Sequence, residues 1–226
     1  MEYVIAIIVS VFSVIIAYCT LDINVSNKLF FLKKKYDDRL PSKELSKLQI
    51  KIICMIVFVL NVSATLSIME NVDNEINIVK MVIAIICITG AACNDYREHR
   101  IPNIFPFIIA VSGIVCLIVG YFVSQKGAQA YIVSSLFAVA SVALGMIVIY
   151  FLSKHGIGMG DIKLLCALSI LGGVYLISGV IFFAMLSCSI TAISLLITKK
   201  KTIKEGIPFG PFIYLGYIVS IILLIY

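Results

Sequence analysis

Residues 77–94 read NIVKMVIAIICITGAACN, an apolar run that stops at the polar turn Asp95-Tyr96-Arg97-Glu98-His99-Arg100 before Ile101-Pro102-Asn103 opens the next one. A continuous run near the roughly 18 to 20 residues that span a bilayer reads as a membrane helix. Seven other runs accompany it, and the expected segments are 3–21, 52–69, 77–94, 103–123, 130–152, 162–172, 174–198 and 208–225. The sixth is short and ends at Gly172-Gly173, which suits a half-span or one arm of a tight hairpin. A β-barrel would alternate polar and apolar residues in segments of about ten, and these runs do not. The expected fold is all-α, a polytopic membrane helix bundle of about eight transmembrane segments.

Composition agrees. Hydrophobic residues make up 62% of the chain and charged ones 13%, with a mean hydropathy of +1.12. That charged share is about half the usual value for a soluble domain. The longest polar stretch, 22–51, is too short to bury a core of its own. Glu2 stands where a signal peptide is basic, and Tyr18 is too large for a processing site, so the first segment is expected to be retained. The seven cysteines form no C-x-x-C pair and are expected as small buried hydrophobes, with neither disulfides nor a zinc site.

Basic residues orient the bundle. Of 18 Lys and Arg, eight fall in the first loop (Lys28, Lys33, Lys34, Lys35, Arg39, Lys43, Lys47, Lys51). Arg97 and Arg100 lie in the third loop, Lys154 and Lys163 flank the fifth, and Lys199, Lys200, Lys201 and Lys204 fill the seventh. Alternate loops hold only Lys80, at a border, and Lys126. Basic loops stay cytoplasmic, so both termini are expected outside and Asp95 and Asp161 at the cytoplasmic face. The net charge of +6 follows from this topology and from anionic headgroups. Residues 33–51 also fit an interfacial helix. No folded basic surface is offered to nucleic acid.

Two segments carry chemistry. The first is Asn94 to Asn103, where Pro102 suits the first turn of a helix. The second is Gly156-Ile157-Gly158-Met159-Gly160-Asp161-Ile162-Lys163-Leu164, whose glycines permit close backbone approach and positive φ. Both aspartates stand at similar depth on one side of the membrane. Two carboxyls a few ångströms apart share a proton, so one can act as base on a water while the other polarises a carbonyl. An Asp at a helix end beside Arg and Lys also reads as a cap or a surface ion pair. Asp22 is the one rival acid at a membrane edge; Asp37, Asp38 and Glu44 belong to the first loop, Glu70, Asp73 and Glu75 to an external one, and Glu98 and Glu205 to charged turns. Lys163 does not share a helix face with Asp161 and reads equally as a headgroup or a substrate contact. Arg97 and Arg100 suit lipid phosphate, and His99 and His155 suit solvated loops.

These segments resemble the paired motifs of the type IV prepilin peptidases and preflagellin peptidases, the GxGD membrane aspartic peptidases. Asp95 stands seven residues before Pro102 of Ile101-Pro102-Asn103, as in that family, and Gly158-Met159-Gly160-Asp161-Ile162-Lys163-Leu164 is similar to its G-x-G-D-x-K-L. Pro208-Phe209-Gly210-Pro211 is similar to its late P-[FY]-[GA]-[PA] segment. The resemblance implies an aspartic endopeptidase with Asp95 and Asp161 as catalytic residues. Gly158, Gly160, Lys163, Pro102, Asn103, Pro208, Gly210 and Pro211 would support them, with no metal and no cofactor. It implies a prepilin-like or archaellin-like precursor as partner, cut after a leader Gly at the cytoplasmic face of the cell membrane, among lipids and without nucleic acid. It also implies a six-helix catalytic domain over 76–226, after two helices and a basic loop over 1–75. The branch that N-methylates its product has two early C-x-x-C pairs, absent here, so methylation is not expected. H-E-x-x-H and a rhomboid serine motif are absent, and Asn94 stands where presenilin-like enzymes carry Tyr. A small transporter using its intramembrane acids, or an inactive assembly scaffold, are the other readings.

Overall fold

The computed structural model describes residues 2–22, 45–72, 74–123, 125–152, 158–198 and 206–223. Among them the regular elements are helices: α1 Glu2–Leu21, α2 Lys47–Asn71, α3 Glu75–Glu98, α4 Ile104–Val123, α5 Gln125–Leu152, α6 Met159–Ile197 and α7 Gly210–Ile222. The first six are long and apolar enough to cross a membrane, and α7 is a shorter apolar helix of 13 residues. The chain is a multi-pass helical membrane protein. Lys28 to Lys43 with Asp37, Asp38 and Glu44, then Asp73, Lys154 to Ile157 with His155, and Lys199 to Glu205 lie outside the described residues, as does the side chain of Lys126.

The sixth and seventh expected segments are two arms of α6. As a straight rod its 39 residues would measure about 58 Å, nearly twice the hydrocarbon core. The rod is broken at Gly173, whose φ of 65° and ψ of −165° are essentially open to glycine alone. Packing gives the direction of the break. Gly210 lies against Asp95, while Gly216 lies against Val180 and Ala184 of the second arm. Gly210 and Gly216 are about 9 Å apart along α7, but on an unbroken rod Val180 and Ala184 would stand about 28 to 35 Å beyond Asp161. Asp161 itself is within electrostatic reach of Asp95. The second arm therefore folds back alongside α7.

Breaking a helix inside an apolar bundle orphans backbone groups that must find partners. The Tyr131 hydroxyl donates to the Leu171 carbonyl, and the Val174 N–H donates to Ser134 Oγ at 3.2 Å. Tyr131 and Ser134 stand three apart on α5, one face of one helix. Lys80 donates to the Tyr131 oxygen at 2.6 Å and lies 4.3 Å from the centre of its ring. Lys80 reads in sequence as the border of an external loop, yet it is only 3% exposed. A cation near the carbonyl end of the first arm is favoured by the helix dipole, and the Tyr131 ring and hydroxyl offset its loss of water. A Cβ at Gly173 would come within 2.8 Å of Ser134 Oγ. Gly173→Ala is therefore expected to destabilise the protein by about 1–3 kcal/mol. The check is the melting temperature of detergent-purified protein, and an unchanged value would contradict the break.

Around this break the main core joins α2 to α7 through residues such as Ile68, Ile85, Ile109, Leu164, Leu168 and Tyr217. A second cluster packs Ala17 and Leu21 of α1 with Ile50 and Val57 of α2 and Cys93 of α3. Small residues let the helices approach closely: a Cβ at Gly216 would lie 2.4 Å from the Val180 carbonyl oxygen.

Candidate active site

Helix α3 continues past the apolar run and carries Asn94 and Asp95 in its last turn. It stops at His99, which takes φ 52° and ψ 37° and returns its N–H to the Asp95 carbonyl at 2.8 Å. Asn94, buried, donates its side-chain amide to the Arg100 carbonyl at 2.7 Å and so holds the turn against the helix. The Asn103 carbonyl accepts from Phe107 N at 3.1 Å, which starts α4. Pro102 thus stands just outside that helix, not in its first turn as the sequence reading has it. Pro106 takes a first-turn position instead, where a missing N–H leaves no helical bond unmade.

Asp95 is 6% exposed, and its Oδ2 accepts the Gly210 N–H at 2.8 Å. Gly210 is the first residue of α7, so its N–H is one of the donors that a helix start cannot satisfy internally. A side chain there has no room: a Cβ would lie 2.9 Å from Asp95 Cβ and 3.0 Å from Oδ2. Pro211 follows in the first helical turn.

Asp161 is the third residue of α6, counted from the cap Gly158. Its carboxyl reaches back to the Gly158 N–H, the return arm of a capping box. The cap reading of Asp161 is therefore met, but by one oxygen only. Its Oδ1 is buried with no hydrogen-bond partner among the described residues. Gly158 has an ordinary extended backbone, φ −70° and ψ 134°. The motif glycines described here thus act through space and not through positive φ. A Cβ at Gly158 would come within 3.0 Å of Asp161 Oδ2, and one at Gly160 within 3.0 Å of Ile101 Cβ. Gly160 lets the turn after Asp95 rest on the start of α6.

Three chain segments thereby meet: the end of α3, the start of α6 and the start of α7. Each carboxyl is held by a backbone N–H at a helix start, where the dipole favours negative charge. The Asp161 carboxyl lies within electrostatic reach of Asp95. No group of three or more His, Cys, Asp and Glu placed to hold a metal forms among the described residues.

Other motif residues settle differently. Lys163 is exposed and donates to Asn103 Oδ1 at 3.2 Å, a contact that the sequence reading did not include. Both line a groove of about 340 Å³ with Phe107 and Ile170. At about 100° per residue, Lys163 and Ile170 lie on the face of the arm opposite Asp161. Arg97, expected at lipid phosphate, is 2% exposed and ion-paired with Glu98. It stands one turn beyond Cys93, on the face that packs against α1 and α2, so burial overrides its charge. Arg100 and His99 are exposed. Sequence reasoning used Asn94 only to set a family apart; its signal was a polar residue ending an apolar run.

The fold and this pair define a multi-pass membrane protein with a paired-carboxyl centre where three helix ends meet. The type IV leader peptidase family model matches residues 81–195, just over half of the chain, with both aspartates inside the match. The chain belongs to the type IV leader peptidase family, and is accordingly a protease that processes precursor proteins. No curated protein and no solved structure matches it.

Proposed function

We propose that the chain is an aspartic endopeptidase whose catalytic pair is Asp95 and Asp161. It removes the basic leader, after the leader Gly, from prepilin-like or archaellin-like precursors. The observation that carries this reading is the pair itself: two buried carboxyls, each pinned through a backbone N–H at a helix start, with Asp161 in electrostatic reach of Asp95.

The pair shares one proton. The ionised carboxyl takes a proton from water, and the water oxygen bonds to the scissile carbonyl carbon. The protonated carboxyl gives its proton to the carbonyl oxygen. Collapse of the resulting diol breaks the C–N bond, and a proton passes to the leaving amine. The N–H donors favour the ionised form while the neighbouring carboxyl opposes a second charge, which keeps one negative charge on the pair. Gly158, Gly160, Gly210 and Pro211 serve by allowing close approach, and Asn103 and Lys163 tie α4 to the arm that carries Asp161. Pro102 and Pro208 set the chain direction just ahead of α4 and α7.

In the proposed topology the two arms of α6 count separately, giving eight segments with both termini outside the cell membrane. The pair then stands at the cytoplasmic face, as the loop charges favour. N-methylation is not part of this activity.

Gly160→Ala forces Ile101 to shift, so activity is expected to fall about tenfold. Lys163→Met removes one exposed contact and is expected to act within about twofold. Initial rates of leader removal check both. The reading as a whole is tested with three substrates in liposomes: a prepilin, an archaellin precursor, and the prepilin leader fused to a soluble domain. Cleavage of one or both membrane precursors, with the soluble fusion spared, is expected. A well-folded enzyme that cuts none of them would contradict the reading, and proton or solute flux would be assayed next.

A further inference from the structure

Asn61 lies within α2, ahead of the family match, and is fully buried. Its Oδ1 accepts the Tyr214 hydroxyl at 2.8 Å, and its Nδ2 donates to Thr89 Oγ1 at 3.3 Å. The Thr89 hydroxyl donates in turn to the Ile85 carbonyl at 2.7 Å. Tyr214 is one turn along α7 from Gly210, the residue whose N–H holds Asp95, and Thr89 is on α3, the helix that carries Asp95. One amide therefore joins the helix that presents the donor to the helix that presents the carboxyl.

A polar side chain inside an apolar bundle is unfavourable unless its groups are satisfied, and a leucine would fill the same space. What an apolar contact lacks is direction. Helix α7 has only 13 residues, nearly all apolar, so its rotation and depth rest on few directional bonds, the one to Asn61 and that of the Tyr217 hydroxyl to the Met81 carbonyl at 3.3 Å among them. The bond from Gly210 to Asp95 is sensitive to both. A single buried Asn is a known physical means of fixing helix register at some cost in stability.

We infer that Asn61 is a positioning residue. It fixes the rotation and depth of α7 against α3, so that the Gly210 N–H meets the Asp95 carboxyl. The N-terminal helices thereby take part in forming the active site, through a residue that the family match does not include. The inference rests on the reading of Asp95 as one of the catalytic pair.

The test uses full-length wild type, Asp95→Asn, Tyr214→Phe, Asn61→Leu and the double variant Asn61→Leu/Tyr214→Phe. Melting temperature, kcat and KM for a prepilin are measured for each. The double variant replaces both partners by apolar groups of similar shape, so its melting temperature is expected to return toward that of wild type. Its kcat is expected to stay about tenfold low with KM unchanged. Tyr214→Phe, the mildest change, is expected to show the same split while fully folded. If kcat recovers together with melting temperature in the double variant, or if folded Tyr214→Phe turns over like wild type, the inference is overturned. Absence of cleavage by folded wild type is a separate failure, that of the peptidase reading itself.

Discussion

Asp95→Asn and Asp161→Asn are each expected to lower the rate of leader removal by at least about a thousandfold, with membrane insertion and helix content unchanged. The amide keeps the shape of the carboxyl. It can still accept the Gly210 N–H at position 95 and the Gly158 N–H at position 161, so both helix starts stay capped. What it cannot do is share or transfer a proton. Because the two act as a unit, the double variant is expected to be scarcely worse than either single one. Asp22→Asn, just past the end of α1, is expected to retain at least about half of the activity, since Asp22 belongs to none of the three chain segments that meet at the pair. Rates on a purified precursor, with circular dichroism on the same samples, check all four. A loss with Asp22→Asn as deep as the others would mean that the pair has been misassigned.

Gly210→Ala is expected to lower kcat about a hundredfold, the usual order for displacing a catalytic group by about 1 Å. The added Cβ would lie 2.9 Å from Asp95 Cβ, closer than such atoms approach, so Asp95 or the start of α7 must move. Stability should not follow activity downward. The clash is confined to the helix start, and the rest of α7 stays packed. A melting temperature held near that of wild type beside a collapsed kcat is the expected pattern. Wild-type turnover would show that Asp95 and Gly210 are not in contact.

Much of the fold was legible because lipid demands long apolar runs: each described helix overlaps an expected segment, α6 takes in two of them, and α7 is shorter than the run 208–225. Boundaries were less so where polar residues are helical. Hydropathy ends the third segment at Asn94, but the helix runs to Glu98 because Asn94, Asp95 and Arg97 are buried by its neighbours. Likewise α2 begins at Lys47, among charges, since Ser46 and Gln49 form a capping box. That pattern was there to be read. The break at Gly173 could be suspected from its paired glycines, whereas its caps, Tyr131 and Ser134, come from a different helix and carry no local signal. The site shows the same division. The aspartates and glycines stood out as motifs, but the partnership of Gly210 with Asp95 joins residues 115 apart in sequence. In sequence Asn61 is one polar residue in an apolar run, and its partners Thr89 and Tyr214 are distant along the chain. The burial of Lys80 and Arg97 is not legible locally, because it depends on the carbonyl end of the first arm of α6 and on the packing of α1 and α2 that folding brings beside them.

The measurement that tests the central claim most directly is the mass of the products formed from one leader-bearing prepilin in liposomes. Wild type, Asp95→Asn and Asp161→Asn are compared at equal amounts of folded enzyme. The account predicts a single cut after the leader Gly by wild type, and intact precursor with either variant. The same cut by either variant would contradict the pair as the catalytic centre.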